Sequence, residues 1–140
     1  MMLLFPEVDR KKTKKQAHEL LNNYRALARI AGRNHIPKIT TTYFFEMENI
    51  SRKVEQTNTT ILNRKALAEN ELCKIMEAMN QLDSYDRELL YDKYMDRSYT
   101  TNIAIYMKHH MSESKFYREI DKALIRFAEA YENGELLIEK

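Results

Sequence analysis

The clearest pattern of apolar and polar positions lies in the last third of the chain, after Ser112. One set of apolar residues recurs at helical spacing, namely Phe116, Ile120, Ala123, Leu124, Phe127 and Tyr131. A second set, which we call the basic face, recurs at steps of three or four and comprises Lys115, Arg118, Lys122 and Arg126. At about 100° per residue, the two sets lie about 140° apart around a helix axis. The pattern predicts a helix with Ser112 as its N-cap that continues to Asn133, ends at Gly134, and has one buried and one basic side.

Two shorter helices are predicted before this one. The first spans about residues 84–95, with Asp83 and Asp86 at the spacing of a capping pair. The second spans about residues 100–108, and a turn at residues 109–111 separates it from the last helix. A short helix, a tight turn and a long helix with a basic face are typical of a helix-turn-helix whose last helix enters the major groove of DNA.

The predicted turn lacks the small residues that such motifs usually have. His110 stands where many helix-turn-helix proteins have Gly, and Tyr106 stands where they often have Ala. Histidine tolerates a left-handed backbone better than a β-branched residue does, so the turn can still form. The substitutions leave the angle between the two helices open.

The first half of the chain predicts further helices. One runs from Thr13 to Gly32, and after a loop at residues 33–42 another begins at Tyr43. Past a polar patch at residues 57–60, apolar residues resume at steps of four and three, namely Ala68, Leu72, Ile75, Met79 and Leu82. This spacing fits either a coiled-coil-like contact between two subunits or an ordinary core face within one subunit.

Composition favours an all-α protein. The chain has 140 residues with only two Gly and two Pro, whereas strand-rich folds need turns every few residues. We expect N-terminal helices over residues 1–81, which could mediate dimerisation, and a helix-turn-helix domain over residues 82–140. The single cysteine, Cys73, excludes an internal disulfide and a cysteine-based zinc finger.

Several classes of function have no signal in the sequence. There is no signal peptide and no apolar run of membrane-spanning length, so we expect no membrane partner and a cytoplasmic location in a bacterial cell. No phosphate-binding glycine loop, HExxH motif or nucleophile elbow is present, so we expect neither an enzyme nor a cofactor. His109 and His110 are adjacent and lack a Cys or carboxylate at ligand spacing, so we expect no metal.

The net charge of +2 is unevenly distributed. Residues 1–33 contain eight Lys or Arg against three Asp or Glu, while residues 98–127 contain five against three. Because the positive surface around the last helix is modest, affinity for DNA would need the basic N-terminus, or a second copy of the chain, in addition to the basic face.

A helix in the major groove reads bases with its first two turns, and cations further along bind phosphate. Lys115 and Arg118 are therefore candidates for guanine O6 and N7 or for phosphate, whereas Arg126 lies too far along for bases and would bind phosphate or nothing. The full set of candidate DNA contacts is His109, His110, Ser112, Ser114, Lys115, Tyr117, Arg118 and Lys122. The alternative is an amphipathic helix whose basic face merely meets water.

Two resemblances bear on these alternatives. The pattern from Leu82 to Ser98 resembles the opening of region 4 of bacterial sigma factors. The segments FPEVDRKKTKKQ, YRALARIAG and MSESKFYREIDKALIRFAEAY resemble the ArpU family, phage-encoded regulators of late genes in Gram-positive hosts, named for autolysin regulation. The resemblance implies a sigma-region-4-like helix-turn-helix that acts in transcription, with Ser112, Ser114, Lys115, Tyr117 and Arg118 at recognition-helix positions.

The resulting hypothesis is an all-α, sequence-specific regulator that binds double-stranded DNA and activates phage late genes. We expect a homodimer through the middle helices, and contact with host RNA polymerase is left open. One alternative is a DNA-packaging protein of the small-terminase kind, which also combines a helix-turn-helix with oligomerising helices. The other is a sigma-like module that binds protein without touching DNA.

Overall fold

The computed structural model describes residues 7–32, 60–96 and 100–140. Apart from one isolated bridge, the regular elements in these ranges are helical, so the predicted all-α class is confirmed. The α-helices are α1 (Arg10–Asn22), α2 (Tyr24–Ile30), α3 (Thr60–Asn80), α4 (Ser84–Leu90), α5 (Asn102–Lys108) and α6 (Glu113–Ala130). A π-helical turn, Tyr91–Met95, extends α4, and a 3₁₀ turn, Tyr131–Gly134, follows α6. The predicted loop at residues 33–42 and the helix from Tyr43 lie outside the described residues.

The first helix begins earlier than predicted. Its N-cap is Asp9, whose side chain accepts a hydrogen bond from the Lys12 backbone N–H at 3.1 Å. Thr13 was predicted as the cap, but it lies inside α1 and is buried. Its hydroxyl oxygen accepts a hydrogen bond from the Ile138 backbone N–H at 2.9 Å. The threonine therefore binds the C-terminal tail, a contact that local sequence does not encode.

The predicted single helix from Thr13 to Gly32 consists of two helices. α1 and α2 meet at Asn23, whose φ of −88° and ψ of −3° interrupt the helix for one residue. Two consecutive asparagines, Asn22 and Asn23, are weak helix formers because their side chains compete for local backbone hydrogen bonds. The predicted end is confirmed, since Gly32 follows α2 with a left-handed φ of 73°.

The apolar stripe of α3 belongs to the core of this chain. Its members are all buried, namely Ala68, Leu72, Ile75, Met79 and Leu82. Of the two interpretations that the spacing allowed, the core face within one subunit is therefore the one that the structure shows. The expected homodimer through the middle helices stays a prediction.

A buried arginine joins α3 to α4. The Arg87 guanidinium donates hydrogen bonds to the backbone carbonyl of Met79, at 3.0 Å, and to that of Leu82. Burial lowers the pKa of Arg87. At the start of α4, the Asp83 side chain accepts from the Asp86 backbone N–H at 2.8 Å, which confirms the predicted cap. Buried apolar residues before and after residue 81 form one cluster, and the predicted division at residue 81 stays a prediction.

The two ends of the described chain pair with each other. Val8 and Glu139 form an isolated antiparallel bridge. The Asp9 N–H donates to the Ile138 carbonyl at 2.7 Å, and the Lys140 N–H donates to the Glu7 carbonyl at 3.0 Å. The tail after α6 thus returns to the start of α1, and α1 packs along α6.

The helix α6 carries the predicted buried side. Every apolar residue assigned to it is buried, namely Phe116, Ile120, Ala123, Leu124, Phe127 and Tyr131. The helix ends at Ala130 and not at Asn133, because Glu132 and Asn133 adopt positive φ angles of 44° and 57°. None of the helices in the described ranges is long and apolar enough to cross a membrane.

Candidate nucleic-acid interface

The turn between α5 and α6 has a defined hydrogen-bonding pattern. The His110 N–H donates to the Met107 carbonyl at 3.1 Å, and the Met111 N–H donates to the Tyr106 carbonyl at 2.9 Å. His110 has a φ of 56°. These features form a Schellman motif with histidine in the left-handed position that glycine usually occupies. The prediction that His110 allows the turn is confirmed.

Tyr106 packs where a smaller residue was expected. Its ring centroid lies 5.8 Å from that of Phe116, the first buried aromatic residue of α6. At the other end of α5, the Thr101 hydroxyl caps the helix by accepting from the Ala104 N–H at 3.2 Å. The aromatic pair and the hydrogen bonds of the turn join the start of α6 to α5.

The N-terminus of α6 lies at the surface. The Ser112 hydroxyl oxygen accepts a hydrogen bond from the Lys115 backbone N–H at 3.1 Å, which confirms Ser112 as the N-cap. Glu113 is in the first turn, where its charge favours the helix dipole. Ser112 and Ser114 are both exposed. Their hydroxyl groups can therefore each donate a hydrogen bond to a phosphate or base edge.

Three residues of the basic face point to solvent. Lys115, Arg118 and Lys122 are exposed, and Tyr117 is 45% exposed beside them. Among the described residues, no acidic side chain forms an ion pair with Lys115 or Arg118. Lys122 lies 3.8 Å from Glu119 (Nζ to Oε1), a surface pair that contributes little to stability. Lys115 and Arg118 in the first two turns of α6 are thus exposed cations without a direct ion pair to a described acidic residue, although Glu113 and Glu119 lie in the same turns.

The fourth residue of the basic face has a different role. Arg126 Nη1 donates to both carboxylate oxygens of Asp86, at 3.0 and 2.8 Å. The Asp86 side chain is 1% exposed and that of Arg126 is 48% exposed. Burial raises the pKa of the Asp86 carboxyl, and the hydrogen bonds from Arg126 oppose that rise. We expected Arg126 to bind phosphate or nothing; sequence reasoning missed its pairing with Asp86, which joins α6 to α4.

On its other side, α6 is bordered by the N-terminal helix. Lys14 Nζ of α1 lies 3.3 Å from Asp121 Oδ2 of α6. His18, one turn further along α1, forms a hydrogen bond of 2.7 Å between its Nδ1 and the hydroxyl of Tyr94. Burial raises the pKa of Tyr94, and the nearby charge of Asp121 raises it further. The basic helix α1 therefore lies next to α6. Sequence reasoning did not predict this position of the N-terminal segment.

The two histidines of the turn point in different directions. His109 is 13% exposed, and its Nε2 lies 2.8 Å from Oδ2 of Asp92, which is 5% exposed. A phosphate contact by His109 would thus have to use its other ring nitrogen. His110 is exposed. The predicted phosphate contact is therefore better supported for His110, and for both residues it stays a prediction.

Near His109 lies a group of three side chains of the types that ligate metal ions, and sequence reasoning missed this group. Ligand atoms of Glu88, Asp92 and His109 lie within 4.8 Å of one another. The spacing of four between the two acids was visible in the sequence, but their approach to His109 was not. Lys108 already supplies the positive charge, because its Nζ lies 3.1 Å from Asp92 Oδ2 and 3.9 Å from Glu88 Oε1. We therefore assign no metal to this cluster.

Lys108 keeps its charge in that cluster. Burial would lower the pKa of Lys108, but the hydrogen bond to Asp92 and the charges of Asp92 and Glu88 raise it above its ordinary value. The cluster joins the π-helical turn to the end of α5. The cluster therefore holds α5 in place, and the ion pair between Arg126 and Asp86 holds α6 in place.

Comparisons with known proteins identify relatives over the full length. An autolysin regulatory protein, ArpU, of Enterococcus hirae is 31% identical over 139 residues, which cover 99% of this chain and all of the relative. A protein of the same name from Streptococcus phage O1205 is 30% identical over 139 residues, with the same coverage. No family model and no solved structure matches the chain. Both relatives are named as regulatory proteins and not as enzymes, and their similarity shows that the chain belongs to the ArpU family.

Proposed function

We propose that the protein is a transcriptional regulator that binds a specific sequence of double-stranded DNA through α6. The observation that carries the proposal is the surface of the first two turns of α6, where Lys115 and Arg118 are exposed and form no ion pair with a described acidic residue. The names of the relatives support regulation, and the phage origin of one relative supports a role in phage gene expression. Activation of late genes is the form of regulation that we propose.

The chemistry of the exposed residues fits the major groove. Arg118 can form two hydrogen bonds with guanine O6 and N7, and Lys115 can bind the same edge or a phosphate. Tyr117 can contact a thymine methyl group or a phosphate, while Lys122 lies further along and fits a phosphate. Ser112 and Ser114 at the start of α6 can donate hydrogen bonds to phosphate oxygens of the DNA backbone.

The supports of α6 favour the same function. Reading bases requires side chains to be held on rigid elements within a fraction of an ångström. α6 is held at its start by the α5 turn and further along by Arg126 and Asp86.

Arg118→Ala tests the proposal. We expect this variant to lose about 10- to 100-fold in affinity for the cognate site, since a bidentate contact to a base contributes about 1–3 kcal/mol. Affinity for random duplex DNA should change little. Titration of labelled duplexes by fluorescence anisotropy measures both quantities, after the site has been selected from a random pool.

Arg64→Ala is the matched control, because Arg64 is exposed on α3 and its loss removes the same charge. An equal loss on specific and random DNA would reduce Arg118 to a phosphate contact. If Lys115→Ala combined with Arg118→Ala leaves DNA binding intact, α6 is not the DNA-binding helix.

The two alternatives predict different results. A packaging protein would form a ring of many subunits, whereas a regulator is expected to be a dimer, and mass in solution distinguishes these. A module that binds only RNA polymerase or another protein would show no salt-sensitive shift of upstream DNA. We favour the regulator because both relatives are named as regulatory proteins.

A further inference from the structure

We propose that α1 forms a second DNA contact on the same chain, in which Lys11 and Lys15 bind the phosphate backbone beside the groove that α6 enters. This inference rests on the proposed function and adds to it the position and the ligand of a second site. The relatives' names assign no such contact.

The helix α1 is strongly basic, and its basic side chains are concentrated near its N-terminus. Between Arg10 and Asn22 there are five basic side chains and one acidic one, Glu19. The first turn contains no acidic residue, although cations near a helix N-terminus interact unfavourably with its dipole. Among the described residues, Lys14 is the only one of the five that forms an ion pair with an acidic side chain, so most of this charge is available to an anion.

Several of the cations of α1 lie along the edge of this helix that is next to α6. Lys11, Lys14, Lys15 and His18 follow the spacing i, i+3, i+4, i+7 and so share one edge of α1. Two contacts hold this edge in place, from Lys14 to Asp121 and from His18 to Tyr94. Asp121 lies one turn beyond Arg118 and directly before Lys122 on α6. The edge therefore borders the basic face.

The dimensions of DNA then place this edge over phosphates. The major groove is about 12 Å wide, and a helix with its side chains is about 10–12 Å across, so α6 fills the groove. A helix packed beside another has its axis about 8–10 Å away. α1 would therefore lie over the wall of the groove, where the sugar-phosphate backbone runs. Lys11 and Lys15 are exposed and one turn apart, as two phosphate contacts require.

The test is the salt dependence of DNA binding by Lys11→Ala combined with Lys15→Ala. Each lost phosphate contact reduces the slope of log K against log salt concentration by about 0.9. We expect the double variant to flatten the slope by about 1–2 and to keep the wild-type ratio of specific to random affinity. Lys11→Gln with Lys15→Gln, which removes the charge but keeps a polar side chain at both positions, should give the same result, and thermal melting checks that each variant is folded.

The matched control is Arg64→Ala with Lys65→Ala, which removes the same charge. Both residues are exposed on α3, about two turns before Glu71. The Glu71 side chain accepts a hydrogen bond from Tyr131, which follows the C-terminal end of α6. We expect this control to keep the wild-type slope. An unchanged slope in the α1 variants, or an equal flattening in the control, would overturn the α1 contact while leaving the Arg118 result intact. A wild-type chain that binds no duplex DNA would overturn both proposals.

Discussion

The two ends of α6 carry arginines that look equivalent in the sequence and differ in the fold. Arg118 in the N-terminal half is exposed, with no ion pair to a described residue. Arg126 in the C-terminal half donates two hydrogen bonds to the buried Asp86. Both belong to one periodic basic face. A row of cations on one helix can therefore be divided between residues that stabilise the fold and residues that remain available to a ligand.

The largest effect expected from this comparison is on stability. Arg126→Ala leaves the Asp86 carboxylate buried without its partner, and we expect the free energy of unfolding to fall by about 2 kcal/mol at neutral pH. Arg118→Ala should change it by less than about 0.5 kcal/mol, as is usual for exposed residues. Urea denaturation of both variants measures the difference. Equal stabilities would contradict the division between the two ends.

The deficit of Arg126→Ala should also depend on pH. Burial raises the pKa of the Asp86 carboxyl in the folded chain above its unfolded value of about 3.9. Loss of Arg126 removes the hydrogen bonds that oppose this rise, so the pKa of Asp86 is higher in the folded variant than in the folded wild type. The deficit is therefore fully present above the pKa of Asp86 in the folded variant and shrinks as the pH falls from there to the pKa in the folded wild type. Repeating the denaturation at several pH values checks this, and a deficit that grows in acid would contradict it.

A smaller effect is expected at the turn that leads into α6. His110 has a left-handed backbone, which costs a non-glycine residue about 1 kcal/mol. His110→Gly should therefore raise the free energy of unfolding by about 0.5–1 kcal/mol. His110→Ala is the control, because it removes the imidazole and keeps the strain. A glycine variant no more stable than the alanine variant would show that the turn is not strained.

The smallest effect concerns the end of the exposed part of the basic face. Because we expect Lys122 to contact phosphate, Lys122→Ala should weaken binding to cognate and random DNA by a similar factor, below about tenfold. Competition with unlabelled random duplex measures this. Selective loss of cognate binding would move the boundary between base and phosphate contacts one turn towards Arg126.

The elements that sequence predicted well depend on short-range chemistry. The N-caps at Ser112 and Asp83 require only a side chain and a backbone N–H three residues later. The left-handed His110 follows from the position of a turn between two helices. The buried side of α6 follows from helical periodicity alone, and each of these predictions is confirmed.

The features that sequence missed join residues far apart in the chain. Arg126 and Asp86 are 40 residues apart, and Thr13 and Ile138 are 125 residues apart. Thr13 has the local sequence pattern of an N-cap, but its hydroxyl oxygen accepts a hydrogen bond from the C-terminal tail at Ile138. Such contacts depend on which helices pack together, and neither periodicity nor capping rules encode this. The division of the basic face could therefore not be predicted from spacing.

In the proposed function, the exposed N-terminal half of α6 determines which DNA sequence is bound. Selection of bound sequences from a random duplex pool, run in parallel with the wild type and Arg118→Ala, tests it most directly. We predict that the wild type enriches one site and that the variant loses base preference at one position of that site while keeping the rest. Enrichment of the same site with unchanged preference at every position by both proteins would contradict the claim.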